Sequence, residues 1–290
     1  MISLTVTDVR ALPGDSAFLL DDGKTSVLYD TGFGFTGYRI ADKIKDVLGD
    51  RPLDYILLSH SHYDHVLGAP YVLRRYPNAK VIAGAYAEKI FQKPTARAVM
   101  RDLDRKYAAT CGVKEYDDLV DELKVDIIVE DGDTVTCGDM TFKAVNLPGH
   151  TKCSIGFYLV ENKLLLGSET LGVYFGNHTY LPFYLVGFQM TLDSFKKART
   201  LDIESILLPH YGVVNHDEAA VYLDNSERVT RETAAIIQRM MRDGATDEEV
   251  LAHFTNLFYT DTVRPTYPRD AFNLNTGILI KQIRKEFCID

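Results

Sequence analysis

Three histidines and one aspartate lie within a short stretch of the chain, the segment Ser59–His65. The segment follows an apolar run that ends at Leu58, so it is predicted to lie at the end of a strand. Its candidate ligands are His60, His62, Asp64 and His65. Imidazole nitrogens and carboxylate oxygens bind borderline divalent ions. The spacing therefore predicts part of a metal site, and the alternative is a solvated, histidine-rich loop.

Further candidate ligands stand where later apolar strands are predicted to end. His150 lies in a Pro-Gly-His-Thr turn, His210 follows Pro209 after another apolar run, and Glu169 follows the run that begins at Leu164. Each of these residues, taken alone, is more often an ordinary turn residue. Their joint occurrence after separate strands predicts that they complete the site begun by Ser59–His65.

The pattern of these residues resembles the metallo-β-lactamase superfamily over residues 1–216. The chain carries an HxHxDH motif at residues 60–65, a Pro-Gly-His-Thr element at His150 and a late strand-end histidine at His210. The resemblance implies an α+β fold, the four-layer αββα sandwich. It also implies two divalent metal ions, one held by His60, His62 and His150 and the other by Asp64, His65 and His210.

The resemblance further implies a bridging aspartate in a Gly-Asp element, and here the sequence departs from the family. The matching positions are Ser168 and Glu169. Because glutamate is one methylene longer than aspartate, Glu169 could bridge both ions, bind only one of them, or displace the second ion. A further alternative is that Glu169 only orients a histidine ligand.

The donor set suits zinc, with iron and manganese as alternatives. The leading hypothesis is a binuclear metallo-hydrolase that uses a metal-bound hydroxide to cleave a small ester, lactone, thioester or related bond. Asp64 would ligate a metal and also pass a proton to the leaving group. The alternatives are a phosphodiesterase, iron-dependent oxygen chemistry on a thiol substrate, and a metal-containing regulatory protein.

Substrate contacts are expected from the segment 171–190, which follows Glu169 and is rich in Tyr and Phe. These rings would form a wall beside the metals that suits an apolar or aromatic small molecule. The alternative is that they pack beneath the C-terminal helices. His178, within this segment, and Tyr211 are additional candidate catalytic residues, Tyr211 as a hydrogen-bond donor to an oxyanion.

The elements that must position these residues begin as strands and continue as alternating helices and strands. The order predicts two sheets packed face to face with helices outside. The charged segment 94–111 is interpreted as a helical insertion covering one edge of the site, or as a solvated surface helix. Residues 1–216 are predicted to form the metallo-β-lactamase-like domain. Residues 217–290 form a helical extension that either packs on it or mediates homodimer formation.

Composition and charge make some classes of function less favourable for this chain. The formal net charge of -9 disfavours a nucleic-acid-binding surface, because phosphate neutralisation needs clustered Lys and Arg. Four cysteines without a CxxC pair indicate a reducing compartment. The chain start does not resemble a signal peptide, and the most apolar later stretch is interrupted by polar residues, so no membrane association is expected. A cytoplasmic enzyme acting on a small-molecule substrate is predicted.

Overall fold

The computed structural model describes residues 1–214 and 216–289. The chain divides into two compact units. The first comprises Met1–Asn146 and Ile155–Leu166, and the second comprises Leu147–Ser154 with the chain from Gly167 onward. The predicted boundary between residues 216 and 217 stays a prediction.

A six-stranded sheet organises the first unit, and its strands follow one another in chain order. The strands are β1 (Thr5–Asp8), β2 (Phe18–Asp21), β3 (Ser26–Tyr29), β4 (Tyr55–Leu58), β5 (Lys80–Gly84) and β6 (Ile127–Val129). Strands β1 to β3 pair antiparallel, whereas β3 to β6 pair in parallel. Because Tyr29 pairs with Leu57, the carboxyl ends of β3 and β4 lie side by side at one edge.

Strand β4 consists of apolar residues, and Ile56, Leu57 and Leu58 are fully buried. Continuous apolar runs of this kind are typical of parallel strands covered on both faces. Each fully buried Leu or Ile stabilises the fold by about 1.5–3 kcal/mol relative to exposure. The end of β4 is therefore stably packed, and it positions the residues that follow it.

Five helices connect the strands of this unit. They are α1 (Gly37–Leu48), α2 (Tyr63–Val66), α3 (Ala69–Arg75), α4 (Ala85–Phe91) and α5 (Pro94–Thr110). Helix α1 buries the stripe of Ile40, Ile44 and Leu48 and ends at Gly49, whose φ of 63° suits glycine. Helix α5 contacts α2. The predicted insertion at 94–111 is thus a helix packed against the histidine-containing segment.

Four antiparallel strands complete the first unit, in the order β10-β9-β8-β7. Their bounds are β7 (Thr134–Cys137), β8 (Met140–Asn146), β9 (Ile155–Leu159) and β10 (Leu164–Leu166). Strands β9 and β10 are buried along their whole length, as expected for strands within a packed core.

Among its described residues, the second unit contains two short hairpins and four helices. These elements are β11 (Val173–Tyr174), β12 (Tyr180–Leu181), α6 (Phe188–Ala198), β13 (Ser205–Leu208), β14 (Gly212–Val214), α7 (His216–Arg242), α8 (Asp247–Phe258) and α9 (Arg269–Glu286). A capping box between Thr246 and Glu249 starts α8. Across the described residues, no helix is both long enough and apolar enough to cross a membrane.

Candidate metal centre

The histidine motif is placed by the end of β4. After Leu58 the chain turns through Ser59–His62, and α2 begins at Tyr63. The ring centroid of His60 lies 4.6 Å from that of His62 and 4.1 Å from that of His65. Asp64 Oδ2 lies 3.7 Å from His65 Nε2. The first unit therefore brings its four predicted ligands into one cluster.

A buried carboxylate that sequence analysis missed stands behind this cluster. Asp30 follows β3, is fully buried and has a φ of 55°. It accepts hydrogen bonds from the Ser59 amide at 2.8 Å, the Ser59 hydroxyl at 2.9 Å and the Ser16 hydroxyl at 2.9 Å. Its Oδ2 also lies 2.7 Å from His65 Nδ1. A signal was present, because this aspartate directly follows an apolar run, as the histidine motif does.

Contacts at Nδ1 indicate which nitrogen His60 and His65 present. A histidine that donates from Nδ1 keeps a lone pair on Nε2, and such partners are usual for metal-binding imidazoles. Asp30 holds Nδ1 of His65, and the Ser59 hydroxyl lies 3.0 Å from Nδ1 of His60. The arrangement favours Nε2 of both rings as metal-binding atoms.

The second unit presents its predicted ligands around one carboxylate. Glu169 is 4% exposed and opens a single 3₁₀ turn. Its Oε2 lies 2.8 Å from His150 Nε2, and its Oε1 lies 3.5 Å from His210 Nε2. Nδ1 of His150 lies 2.9 Å from the carbonyl oxygen of Phe183. The two histidines therefore approach different oxygens of Glu169.

Backbone conformation determines the shape of the two turns that carry His150 and His210. Gly149 has a φ of 148°, and a Cβ there would lie 2.2 Å from Thr191 Oγ1, so the turn before His150 requires glycine. His210 itself has a φ of 63°, in the left-handed region. Non-glycine residues persist there only where surrounding structure holds them, and such residues concentrate at functional sites.

Comparison with known proteins identifies the family. A family model described as the metallo-beta-lactamase superfamily matches residues 13–210. The chain belongs to this superfamily. The predicted α+β fold of the αββα type with C-terminal helices is thereby confirmed.

Individual superfamily relatives share part of the chain. It is 28% identical over 141 residues to "Glyoxylase B2" of Dictyostelium discoideum, covering 48% of this chain and 44% of that protein. It is 27% identical over 164 residues to "Atrochrysone carboxyl ACP thioesterase dmxR1" of Cryptosporiopsis sp., covering 56% of this chain and 40% of that protein. The chain thus spans less than half the length of each of these relatives.

A solved structure agrees over nearly the whole chain. A metallo-beta-lactamase family protein from Thermus thermophilus superposes with a TM-score of 0.65 at 18% sequence identity, covering 99% of this chain and 94% of that one. At this level of identity the likeness concerns the fold.

All seven predicted ligands belong to groups of His, Asp and Glu side chains that could hold a metal ion. The imidazoles and carboxylates of these groups are ligands that fit zinc, iron or manganese. Cys153 is buried, and its Sγ lies 3.2 Å from Thr151 Oγ1. Burial of this kind is usual for a free cysteine.

The other two candidate catalytic residues lie in turns of the second unit. His178 is exposed at the tip of the β11–β12 hairpin, where its amide donates to the Tyr174 hydroxyl at 3.3 Å. Tyr211 follows His210, is 36% exposed, and its ring centroid lies 4.6 Å from that of Tyr174. Catalytic roles for His178 and Tyr211 stay predictions.

The aromatic segment 171–190 packs mainly against the C-terminal helices. Phe183, Tyr184 and Phe188 share a buried cluster with residues of α7, α8 and α9. The Phe183 ring centroid lies 6.2 Å from that of Phe272 on α9. The packing alternative is confirmed for these rings. A substrate wall built from them is wrong, because their side chains are occupied by core contacts.

Proposed function

We propose that this protein is a metal-dependent hydrolase that cleaves a thioester or a related small ester or lactone. The observation that carries the proposal is that predicted histidine ligands of both units are oriented by protein groups. In His60, His65 and His150, Nδ1 lies within hydrogen-bonding distance of an oxygen. This leaves Nε2 of each ring as the atom that can bind a metal. Such orientation raises metal affinity.

The proposed ligand assignment follows the superfamily pattern. One ion would be held by His60, His62 and His150, the other by Asp64, His65 and His210, with Glu169 between them. Support for the Glu169 role comes from the second unit itself, where this carboxylate approaches both His150 and His210. Zinc is the first expectation, with iron or manganese as alternatives.

Bound divalent ions lower the pKa of water from about 15.7 toward about 7 and so supply a nucleophile at neutral pH. The protein's own contribution is proton transfer and orientation. The Asp64 side chain is 23% exposed, so besides ligating it could take a proton from the attacking water and pass it to the departing thiolate or alkoxide. The Tyr211 hydroxyl is proposed to donate a hydrogen bond to the developing oxyanion.

One of the two relatives is named a thioesterase, which favours thioesters among the candidate substrates. The formal net charge of -9 disfavours nucleic-acid phosphodiesters. A small-molecule substrate is accordingly proposed.

The proposal is tested with protein purified without added metal, analysed for metal content, and then assayed on aryl esters, lactones, thioesters and phosphodiesters. We expect thioester or ester hydrolysis that a chelator abolishes and zinc restores. His62→Ala should lose metal and activity, whereas His253→Ala, an exposed histidine on α8, should keep both. Turnover of phosphodiesters alone would contradict the proposal. Iron content with oxygen uptake on thiols would favour oxygen chemistry instead.

A further inference from the structure

A cluster of five aromatic rings adjoins the histidine motif within the first unit. We call it the Phe33 cluster, and it comprises Phe33, Phe35, Tyr63, Tyr107 and Tyr116. The centroid of Phe33 lies 5.2 Å from Phe35, 5.6 Å from Tyr63 and 4.7 Å from Tyr107. Tyr63 stands between the predicted ligands His62 and Asp64. The cluster therefore begins inside the motif.

The exposure of these rings differs from that of a closed core. Phe33 is 3% exposed, but Phe35, Tyr63, Tyr107 and Tyr116 are all only half-buried. The central ring thus supports outer rings that keep part of their surface accessible. Partly exposed aromatic rings beside a predicted metal-binding segment are typical of sites for apolar organic groups.

Buried carboxylates hold the loop that carries Phe33 and Phe35. Asp15 accepts hydrogen bonds from the Phe33 amide at 3.0 Å and the Thr36 hydroxyl at 2.7 Å. Asp104, on α5, accepts from the Gly34 amide at 2.9 Å and from the Tyr116 hydroxyl. Because the loop is fixed before any ligand arrives, binding costs little ordering entropy.

From this arrangement, which rests on the proposed hydrolase function, we propose that the Phe33 cluster binds an aryl group on the acyl side of the substrate. The rings meet at tilted or edge-on angles, between 31° for Phe33–Phe35 and 70° for Phe35–Tyr107. A further ring added to such a cluster gains edge-to-face or offset contacts that an alkyl group of equal size lacks. Phe35 and Tyr107 determine this specificity.

The test compares three acyl thioesters of one thiol, N-acetylcysteamine, on the metal-loaded full chain. The acyl groups are phenylacetyl, cyclohexylacetyl and acetyl. Wild-type protein should prefer phenylacetyl to acetyl by at least about tenfold in kcat/KM, and to cyclohexylacetyl by at least about twofold. Equal rates for phenylacetyl and cyclohexylacetyl would overturn the aryl assignment, since apolar bulk would then suffice.

Substitutions in the Phe33 cluster test which rings cause the preference for the phenylacetyl group. Tyr107→Leu and Phe35→Leu should each lower the phenylacetyl-to-acetyl ratio by about two- to tenfold, because each removes one ring that the aryl group would contact. Tyr107→Phe keeps the ring and should keep the ratio. Tyr86→Leu changes an exposed tyrosine on α4, outside the cluster, and should change neither rate. Thermal unfolding confirms that each variant is folded. An unchanged ratio in both leucine variants would overturn the proposal.

A binding measurement separates this inference from the proposed function. If no thioester is hydrolysed, the hydrolase proposal fails. Calorimetric titration of phenylacetate and acetate into wild type, Tyr107→Leu and Tyr107→Phe then decides the subsite. Tighter phenylacetate binding that Tyr107→Leu weakens and Tyr107→Phe preserves would support it. Equal affinity for the two carboxylates would reject it.

Discussion

The predicted ligands of the two units are held in different ways. In the first unit they follow one buried strand, and a carboxylate outside the ligand set, Asp30, receives hydrogen bonds from their surroundings. In the second unit they come from three separate turns and meet at Glu169, which is itself a predicted ligand. Their turns depend on backbone conformation at Gly149 and His210. The first set therefore relies mainly on supporting side chains. The second relies mainly on the backbone and on one of its own members, with the Thr170 hydroxyl accepting a hydrogen bond from the His150 amide at 3.0 Å.

Among the variants that test this comparison, the one that removes the charge of Glu169 should have the largest effect on metal content and activity. Glu169→Gln keeps the side-chain size but replaces one carboxylate oxygen with an NH₂ group and removes the charge between two histidines. We expect metal content to fall, and kcat/KM to fall by at least about 100-fold, because a metal site supplies several kcal/mol of transition-state stabilisation. Elemental analysis and steady-state kinetics measure both.

The matched control for this variant is Glu169→Asp, which keeps the charge and shortens the side chain by one methylene. It should retain metal, because aspartate is the residue that the family resemblance implies at this position. If Glu169→Gln keeps its metal content and its activity within about threefold, Glu169 is not a ligand.

Asp30 provides the corresponding test for the first unit. In Asp30→Asn, an amide NH₂ can face His65 Nδ1, which favours the tautomer with its proton on Nε2 and blocks the ligand atom. We expect metal affinity to fall by about 10- to 100-fold. Competition with a chromophoric chelator gives the dissociation constant.

Ser16→Ala is the milder companion of this variant. It removes one of the hydrogen bonds to Asp30 and leaves the contact between Asp30 and His65 intact. Its effect on metal affinity should stay below that of Asp30→Asn. An Asp30→Asn protein that binds metal as tightly as wild type would show that the first set does not depend on its supporting carboxylate.

Much of the fold was predictable because its strands are apolar runs between turn residues. Strand β4 ends at Leu58, where the apolar run before the histidine motif was predicted to end. The β11–β12 hairpin was missed, because two-residue strands are too short to show a period of two. Helix α2 was missed for the same kind of reason, since a single turn inside the histidine motif has no helical stripe.

The residues of the candidate site also differ in whether the sequence could predict them. The histidine motif is contiguous in sequence, so it could be predicted directly. Asp30 was missed because its link to His65 arises only when β3 and β4 pair in parallel. The core role of Phe183 and Tyr184 could not be separated from a substrate role, because both interpretations require the same aromatic residues. Only the contacts with α7–α9 distinguish them.

The smallest expected effect concerns the pH dependence of stability in the first unit. Burial, the main cause, raises the pKa of Asp104 to about 6, with nearby Asp15 acting in the same direction and the hydrogen bonds from Tyr116 and the Gly34 amide opposing it. The folded protein therefore binds a proton here more readily than the unfolded chain does. As pH rises from about 4 through about 6, this proton is lost and the free energy of unfolding decreases.

Asp104→Asn should remove this dependence, because asparagine does not titrate. Between pH 5 and pH 8, the stability of wild type relative to Asp104→Asn should fall by about 1 kcal/mol. Urea unfolding of both proteins at the two pH values measures the difference, and using the same pair at each pH cancels contributions from other groups. A difference that stays constant with pH would mean that Asp104 is ionised in the folded protein already at pH 5. The loop bearing Phe33 would then be held by a charged carboxylate over the whole range from pH 5 to pH 8.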